Sequence, residues 1–430
     1  MRGVFCFRND LRLTDHPALS LALEKCQRLL LVYVFEDRIW KASSSRKMGP
    51  FRAKFILESL RDLDVEIKSR QGCLHYLYGC IEEEIPRFMA EMNCTHCFLQ
   101  EEDAWEEQQT EKNLSKLVNL QTISGSTLIH SQDLPFEVHD LPPTFTQFRK
   151  RVEENLKIRE PLRTNHNLQS CKNPQKALPS SDLPKLNPPA LDPRSSFLFT
   201  GGSVPGRLRM TQWFWEENAI GTYKITRNGL LGSTFSSRLS PWLAQGCLSP
   251  REIFFEIKNY EKSRGANEST YWLIFELFWR DYFHFVARKY GAQLFHRKGI
   301  HPQRPNRNEP KDSHERFDKW KFGATENQFV NANMNELRLS GWMSNRGRQN
   351  VASYLIHDLG LDWRWGAEWF ERQLIDFDPC SNYGNWLYLS GYGNDPRPGR
   401  SFNLNKQAEI YDPTGEYQRL WSSANTPTSS

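Results

Sequence analysis

Between Trp342 and Tyr388 the chain sets Arg346, Arg348, Asp376, Asp378 and Asn382 among Trp342, Trp363, Trp365, Trp369 and Trp386. Charged side chains are seldom buried unpaired, and large aromatics seldom crowd a surface without a reason. Such a mixture predicts a polar constellation sunk into an aromatic wall. It could hold a conjugated cofactor and move charge to and from it. An Arg and Asp buried together would form a fixed ion pair against which a polarisable ring could sit. A nearby Asn amide both donates and accepts, so it tolerates a ring nitrogen in more than one redox state. A structural salt-bridge network uses the same residue types, and chemistry alone does not choose between the two.

A second constellation runs from Tyr223 through TRNGLLG to Ser236, Ser237, Arg238, Leu239 and Ser240. Its hydroxyls and guanidinium after a glycine-rich turn could cradle a pyrophosphate. Ser-rich loops are common, and spacing alone favours an ordinary polar loop. Closely spaced indoles can relay electrons, but without a redox cofactor a tryptophan stripe reads as core.

The elements that must position these groups divide the chain in two. Val4–Phe7 and Leu29–Phe35 read as buried strands, with Cys97–Leu99 as a later one. Pro17–Lys25, Pro50–Asp62 and Ile81–Met92 read as intervening helices. This alternation predicts a doubly wound parallel sheet over residues 1–130. FRNDLRLTDHPAL follows the first strand in place of GxGxxG, which argues against a nicotinamide enzyme. Residues 131–200 read as a connector, since seven prolines fall between Pro161 and Thr200. From 201 to 425 the signals are helical, with a short tail at 426–430.

In the helical half, Ser249-Pro250-Arg251-Glu252 is a capping-box start. Residues 269–290 are apolar on nearly every face and predict a central helix. Its Glu276 and Arg280 share a face, and their burial predicts pairing with each other or with a polar ligand. Asn345–Leu359 reads as another helix, stopped by Gly360. Twelve of the fourteen tryptophans lie in this half, so the halves are different kinds of domain.

Composition sets outer limits. The 430 residues suffice for two cores. Mean hydropathy is −0.67 and no apolar run approaches bilayer length, so no membrane partner is expected. The nine cysteines include a single CxxC, Cys94–Cys97, which reads as reduced thiols rather than a metal site. With an apolar strand at the N-terminus and no signal or transit peptide visible, an intracellular location, cytoplasm or nucleus, is expected. A net charge of +5 permits a polyanionic partner.

FRNDLRLTDHPAL, TRNGLLG, SRLSPWLAQGCLSPRE, ELFWRDYF, NRGRQNVAS, DWRWGAEWFE, SNYGNWLY and NDPRPGRSFN occur in this order over nearly the whole chain. Together they resemble the photolyase/cryptochrome family, the cryptochrome DASH branch in particular. The resemblance implies an α/β domain followed by a helical FAD-binding domain. It implies that Tyr223, Ser236, Ser237, Arg238, Leu239 and Ser240 hold the phosphates and ribityl chain. Arg348 and Asp376 would pair beside the flavin ring, Asp378 would bond it, and Asn382 would face its N5. Arg280 and Asn345 would complete the cofactor set. Glu276 and Trp279 would meet both flavin and lesion, with Arg346, Gln349 and Tyr388 on the substrate side. Trp386 and Trp363 match the first relay members, but Pro310 stands where the third is expected. Photoreduction would then be slower, or rerouted through Trp320 or Trp365. Glu102 fits the acidic contact to 5,10-methenyltetrahydrofolate, although Ala104 and Trp105 replace the usual small polar neighbours. Gln328 and Asn331 replace a usual Pro and Asp.

The implied activity is deoxyribodipyrimidine photolyase chemistry: blue-light repair of cyclobutane pyrimidine dimers by electron transfer from reduced flavin. Tyr388, in place of a second stacking Trp, implies a preference for single-stranded DNA. A (6-4) enzyme would carry His at Asn345 and Gln349. The alternative is a cryptochrome DASH photoreceptor that binds DNA or RNA with weak or no repair. A monomer is expected in either case.

Overall fold

The computed structural model describes all residues except 41–46, 163–167, 172–189, 302, 304–308, 396, 398 and 423–430. Five strands form one parallel sheet: β1 (Arg2–Phe7), β2 (Arg28–Glu36), β3 (Leu74–Gly79), β4 (His96–Gln100) and β5 (Leu120–Ile123). The order β3-β2-β1-β4-β5 is the doubly wound arrangement predicted from the alternating pattern. Its central strands are buried on both faces, which is why they read as continuous apolar runs. The winding reverses direction between β1 and β4, so a crevice opens beyond their carboxyl ends.

From Ser203 to Trp421 the described residues form helices and turns without strands. The central helix is Glu268–Tyr290, with Asn267 as its side-chain cap. Ser249 and Glu252 complete the expected capping box. The helix beginning at Pro50 continues to Ser69, about two turns past the expected end at Asp62, with Leu63 and Ile67 buried in the added part. The helix beginning at Asn345 is regular to Ser353, then widens into a π-turn over Tyr354–Asp358 before Gly360 at φ +68°. Within the expected connector, residues 145–154 form a helix capped by Thr144, and much of the proline-rich part lies outside the described residues.

The segment after β1 joins the two halves. Leu11 N donates to the Gln245 carbonyl at 3.1 Å, and Arg12 reaches the Gly246 carbonyl at 2.9 Å. Asp15, fully buried, takes both the Nε and Nη2 of Arg251 at 2.9 and 2.8 Å. Gly246 has φ +62°, and a Cβ there would strike the backbone of Asn9 and Asp10. In return, the Asp281 carboxylate on the central helix accepts Leu128 N and Ile129 N at 3.0 and 2.8 Å. FRNDLRLTDH is thus an interdomain clasp. No helix is long and apolar enough to cross a membrane among the described residues, and the nine cysteines are free.

Candidate active site

A cavity of about 300 Å³ lies in the helical half. Tyr223, Ser236 through Ser240, Glu276, Arg280, Asn345, Arg348, Gln349, Asp376, Asp378, Asn382 and Trp386 all line it. Residues up to 163 positions apart are therefore gathered by the fold into one wall, from Tyr223 to Trp386.

The Ser-rich side is built by a buried arginine that the sequence reading missed. Arg209 donates to the carbonyls of Ser233, Ser236 and Ser237 at 2.7, 3.3 and 3.1 Å. This pins the loop backbone and leaves its hydroxyls for other partners. Arg238 sits at φ +56° and turns back to Gly232 O at 2.7 Å and Ser196 Oγ at 2.8 Å. Burial lowers its guanidinium to about 10, still charged at neutral pH. No motif or spacing in the sequence marks Arg209, because its partners lie 24 to 28 residues away along the chain.

Across the cavity, Arg348 Nη2 meets both oxygens of Asp376 at 3.0 and 2.9 Å. Its Nε donates to Met343 O, its guanidinium lies 5.2 Å from the Trp342 ring, and Ser240 Oγ reaches Asp376 at 2.6 Å. The ion pair is fixed on every side, as a buried pair must be. Asp378 caps the Pro379–Ser390 helix through Ser381 N at 2.6 Å and faces His284 Nε2 at 3.4 Å. Burial opposes its charge, but His284 and Arg280 outweigh this and hold the carboxyl well below its ordinary range. Asn382 is buried, with its Nδ2 assigned to the Ala367 carbonyl at 3.1 Å.

Glu276 and Arg280 do not pair with each other. Glu276 is ion-paired with Arg227, and Arg280 donates to Ser126 O at 2.6 Å. The 3.6-residue period places them on one face, but better partners come from a neighbouring turn and from the sheet domain. Trp279 does not line the cavity: Phe145 stacks on it at 3.7 Å and 12°, while Tyr388 meets it edge-on at 5.5 Å. Arg346 lies to one side, bonded to Gln349 Oε1 at 2.9 Å and Asn228 Oδ1 at 3.0 Å. Tyr388 hydroxyl is held by Arg400, whose guanidinium also lies 4.4 Å from the Tyr388 ring. Trp363 is buried away from this cavity, with Nε1 on Arg297 O at 2.9 Å and Tyr383 as a ring neighbour.

Glu102 belongs elsewhere. It lines a second cavity at the carboxyl ends of β1 and β4, with Arg8, Asn9, Ala104 and Glu107. Burial raises the Glu102 carboxyl to about 8 against the pull of Arg8, and raises Glu107 to about 7. Leu243, Ala244, Arg280, Phe377 and Asp378 line both cavities, which therefore share a wall.

Residues 272–426 match the FAD binding domain of DNA photolyase, and residues 4–168 match the DNA photolyase domain. The chain is 45% identical to cryptochrome DASH of Xenopus laevis over 98% of its own length and 82% of that protein. It is 44% identical to cryptochrome DASH of Synechocystis sp., over 96% and 86% of the two chains. The chain belongs to the cryptochrome DASH family. A crystal structure of the Synechocystis cryptochrome superposes with a TM-score of 0.88 at 43% identity, covering 98% of this chain and 88% of that one. A class III photolyase from Agrobacterium tumefaciens, 24% identical with a TM-score of 0.82, shares the fold, covering 98% of this chain and 86% of that one.

Membership makes the larger cavity that of a photolyase-like FAD protein, and its donor set fits the group. Hydroxyls and Arg238 suit phosphates, the Arg348–Asp376 pair and Asn382 suit the polar edge of a ring, and Leu239, Leu277, Trp342 and Phe370 supply apolar walls.

Proposed function

We propose that this cryptochrome DASH repairs cyclobutane pyrimidine dimers in single-stranded DNA under blue light. The observation that carries the reading is Glu276, held on the FAD cavity wall by Arg227, one turn from the edge-on pair Trp279 and Tyr388. When bound and reduced, FAD supplies a light-excited electron donor for splitting the cyclobutane ring. Tyr223, the Ser236–Ser240 loop and Arg238 bind its phosphates, and Arg348, Asp376, Asp378 and Asn382 orient its ring.

On the substrate side, Glu276, Asn345 and Gln349 offer hydrogen bonds to a pyrimidine edge, and Arg346 attracts the backbone. Trp279 and Tyr388 supply aromatic surface on which flipped bases stack, and extraction is cheapest from a single strand. Glu276 stays paired with Arg227, so its carboxylate is aimed before the lesion arrives.

The second cavity takes 5,10-methenyltetrahydrofolate as an antenna. Its place at the switch point of the sheet suits a heterocycle, and the shared wall shortens energy transfer to FAD. The test of the repair reading is loss of dimers from UV-irradiated oligo(dT) on blue illumination of the reduced protein; no loss above the dark control sinks it. A photoreceptor with weak repair is the second reading. Tyr388 favours it, because its ring is smaller than Trp and its hydroxyl is tied to Arg400.

A further inference from the structure

Three side chains with metal-binding atoms meet where the two cavities share a wall. His284 Nε2, an Asp378 carboxylate oxygen and Cys380 Sγ all lie within 4.8 Å of one another. All three line the second cavity, and Asp378 also lines the first. Separate elements bring them together. His284 comes from the central helix, while Asp378 caps the Pro379–Ser390 helix and Cys380 stands in its first turn. Ser381 N takes Asp378 Oδ1 at 2.6 Å, which leaves Oδ2 nearest the imidazole.

His284 is the residue that calls for a ligand. Its side chain is 4% exposed, yet Nε2 makes no hydrogen bond among the described residues. A buried polar atom left unpaired is costly. Asp378 Oδ2 lies 3.4 Å away, near enough for charge attraction but without hydrogen-bond geometry. The same separation matches the N–O edge of a tetrahedron drawn with zinc bonds of about 2.0–2.2 Å, which comes to about 3.4 Å.

The other ring nitrogen is already committed. Nδ1 lies 2.6 Å from Asp103 Oδ2, so a proton held there leaves the Nε2 lone pair for a cation. A carboxylate behind a ligating histidine fixes its tautomer in this way and raises its basicity. Imidazole, thiolate and carboxylate together suit zinc, whereas calcium and magnesium take oxygen ligands. Charge balances as well. Asp378 and a Cys380 thiolate neutralise a dication, and the nearby cations are matched elsewhere. Arg288 pairs with Asp103 and Glu101, and Arg280 lies 4.0 Å from Asp281.

We propose that His284 Nε2, Asp378 Oδ2 and Cys380 Sγ bind one zinc ion, with a water from the second cavity as the fourth ligand. Binding displaces the Nε2 proton and the Cys380 thiol proton, and both pass to solvent through that cavity. Zinc has no redox chemistry, so the ion acts as a staple between the central helix and the helix that begins at Pro379. It fixes from the second cavity the carboxylate that borders the FAD cavity on its other side. The site stands apart from the repair reading.

The experiment uses the FAD-loaded protein, stripped with a chelator and desalted. Zinc chloride is titrated against a chromogenic competitor, and cobalt(II) replaces zinc in a parallel sample. Wild type should take up one zinc per chain. Cobalt should give a thiolate charge-transfer band and tetrahedral d–d bands to the red of oxidised flavin. The outer partner of a ligating histidine is worth about 10–100-fold in affinity, and a ligand is worth more. Cys380→Ser and His284→Gln should therefore each weaken zinc by more than about 100-fold, while Cys94→Ser, in the CxxC, keeps wild-type uptake. Melting curves show which variants fold; where one does not, the cobalt spectrum of the wild type decides. Absence of stoichiometric zinc uptake, a cobalt spectrum without thiolate charge transfer, or full uptake by folded Cys380→Ser overturns the site.

Discussion

His284 joins the two cavities through Asp378: its Nε2 lies 3.4 Å from Asp378 Oδ2, and its Nδ1 lies 2.6 Å from Asp103 Oδ2. Asp378 lines both cavities, Asp103 comes from the loop after β4, and Arg288 also pairs with Asp103. Burial and Arg280 disfavour the imidazolium, but the Cys380 sulfur and the flanking carboxylates of Asp378 and Asp103 outweigh them and hold His284 well above its ordinary value. For a raised histidine, the stabilisation is complete below the ordinary imidazole range and is lost as pH rises through the raised value. Asp103 and Asp378 are depressed, so their share is present above the ordinary carboxylate range and is lost as pH falls through their lowered values. A melting series on the apo protein should therefore show a plateau between the ordinary carboxylate and imidazole ranges, with a decline on either side. His284→Gln should lower that plateau by about 3 kcal/mol, the scale for breaking a buried ion pair, and remove the His284 part of the alkaline decline. A variant that melts like wild type at every pH contradicts this.

Asp376 neutralises Arg348 in the cavity wall. Asp376→Ala should cost about 3 kcal/mol, because it leaves the guanidinium without its partner. FAD retention should fall with it. Asp376→Asn, which keeps an acceptor for Ser240 and Arg348, should lie between the two. Equilibrium unfolding of the apo protein and FAD content after gel filtration check both parts.

Much of this site was legible because its residues follow local rules. The sheet came from apolar runs with helices between them, and the central helix from an apolar run with a cap. Arg348 and Asp376 were legible as a pair only because motifs on either side resemble a family; the chemistry alone also allowed a structural network. What stayed hidden is partnership over distance. Glu276 and Arg280 share a helix face, yet Arg227 and Ser126 O hold them instead, and no periodicity reports an approach between separate elements. Phe145 on Trp279, and Arg209 under the Ser-rich loop, are hidden for the same reason. The π-turn after Ser353 breaks a helix whose sequence pattern continues through it.

In the second cavity, Glu102 is raised to about 8 by burial, so it is mostly a neutral acid at pH 7 and a hydrogen-bond donor to a heterocycle. Folate retention should fall as pH rises through that value. Glu102→Gln, which keeps a donor and cannot ionise, should retain folate and flatten the pH dependence. Glu102→Ala should lose folate. Absorbance of the protein-bound folate after desalting at a series of pH values reads all three.

Tyr388 presents a ring beside Trp279, with Arg400 over its other side. Tyr388→Ala should weaken binding of a dimer-containing single strand by about 1–3 kcal/mol, the value of one base-stacking platform. Tyr388→Trp enlarges the platform and should raise the ratio of duplex to single-strand affinity. Fluorescence-anisotropy titrations with both substrates at fixed salt measure this; an unchanged ratio in Tyr388→Trp contradicts the role given to ring size.

The central claim is that the charged wall from Glu276 to Trp386 holds FAD for light-driven dimer splitting. Its most direct test is dimer content in UV-irradiated oligo(dT) after incubation with the purified, FAD-loaded and chemically reduced protein, in blue light and in the dark. The account predicts dimer loss in the light alone, abolished by Asp376→Ala. Dimers that persist in the light with fully reduced, FAD-loaded protein would contradict it.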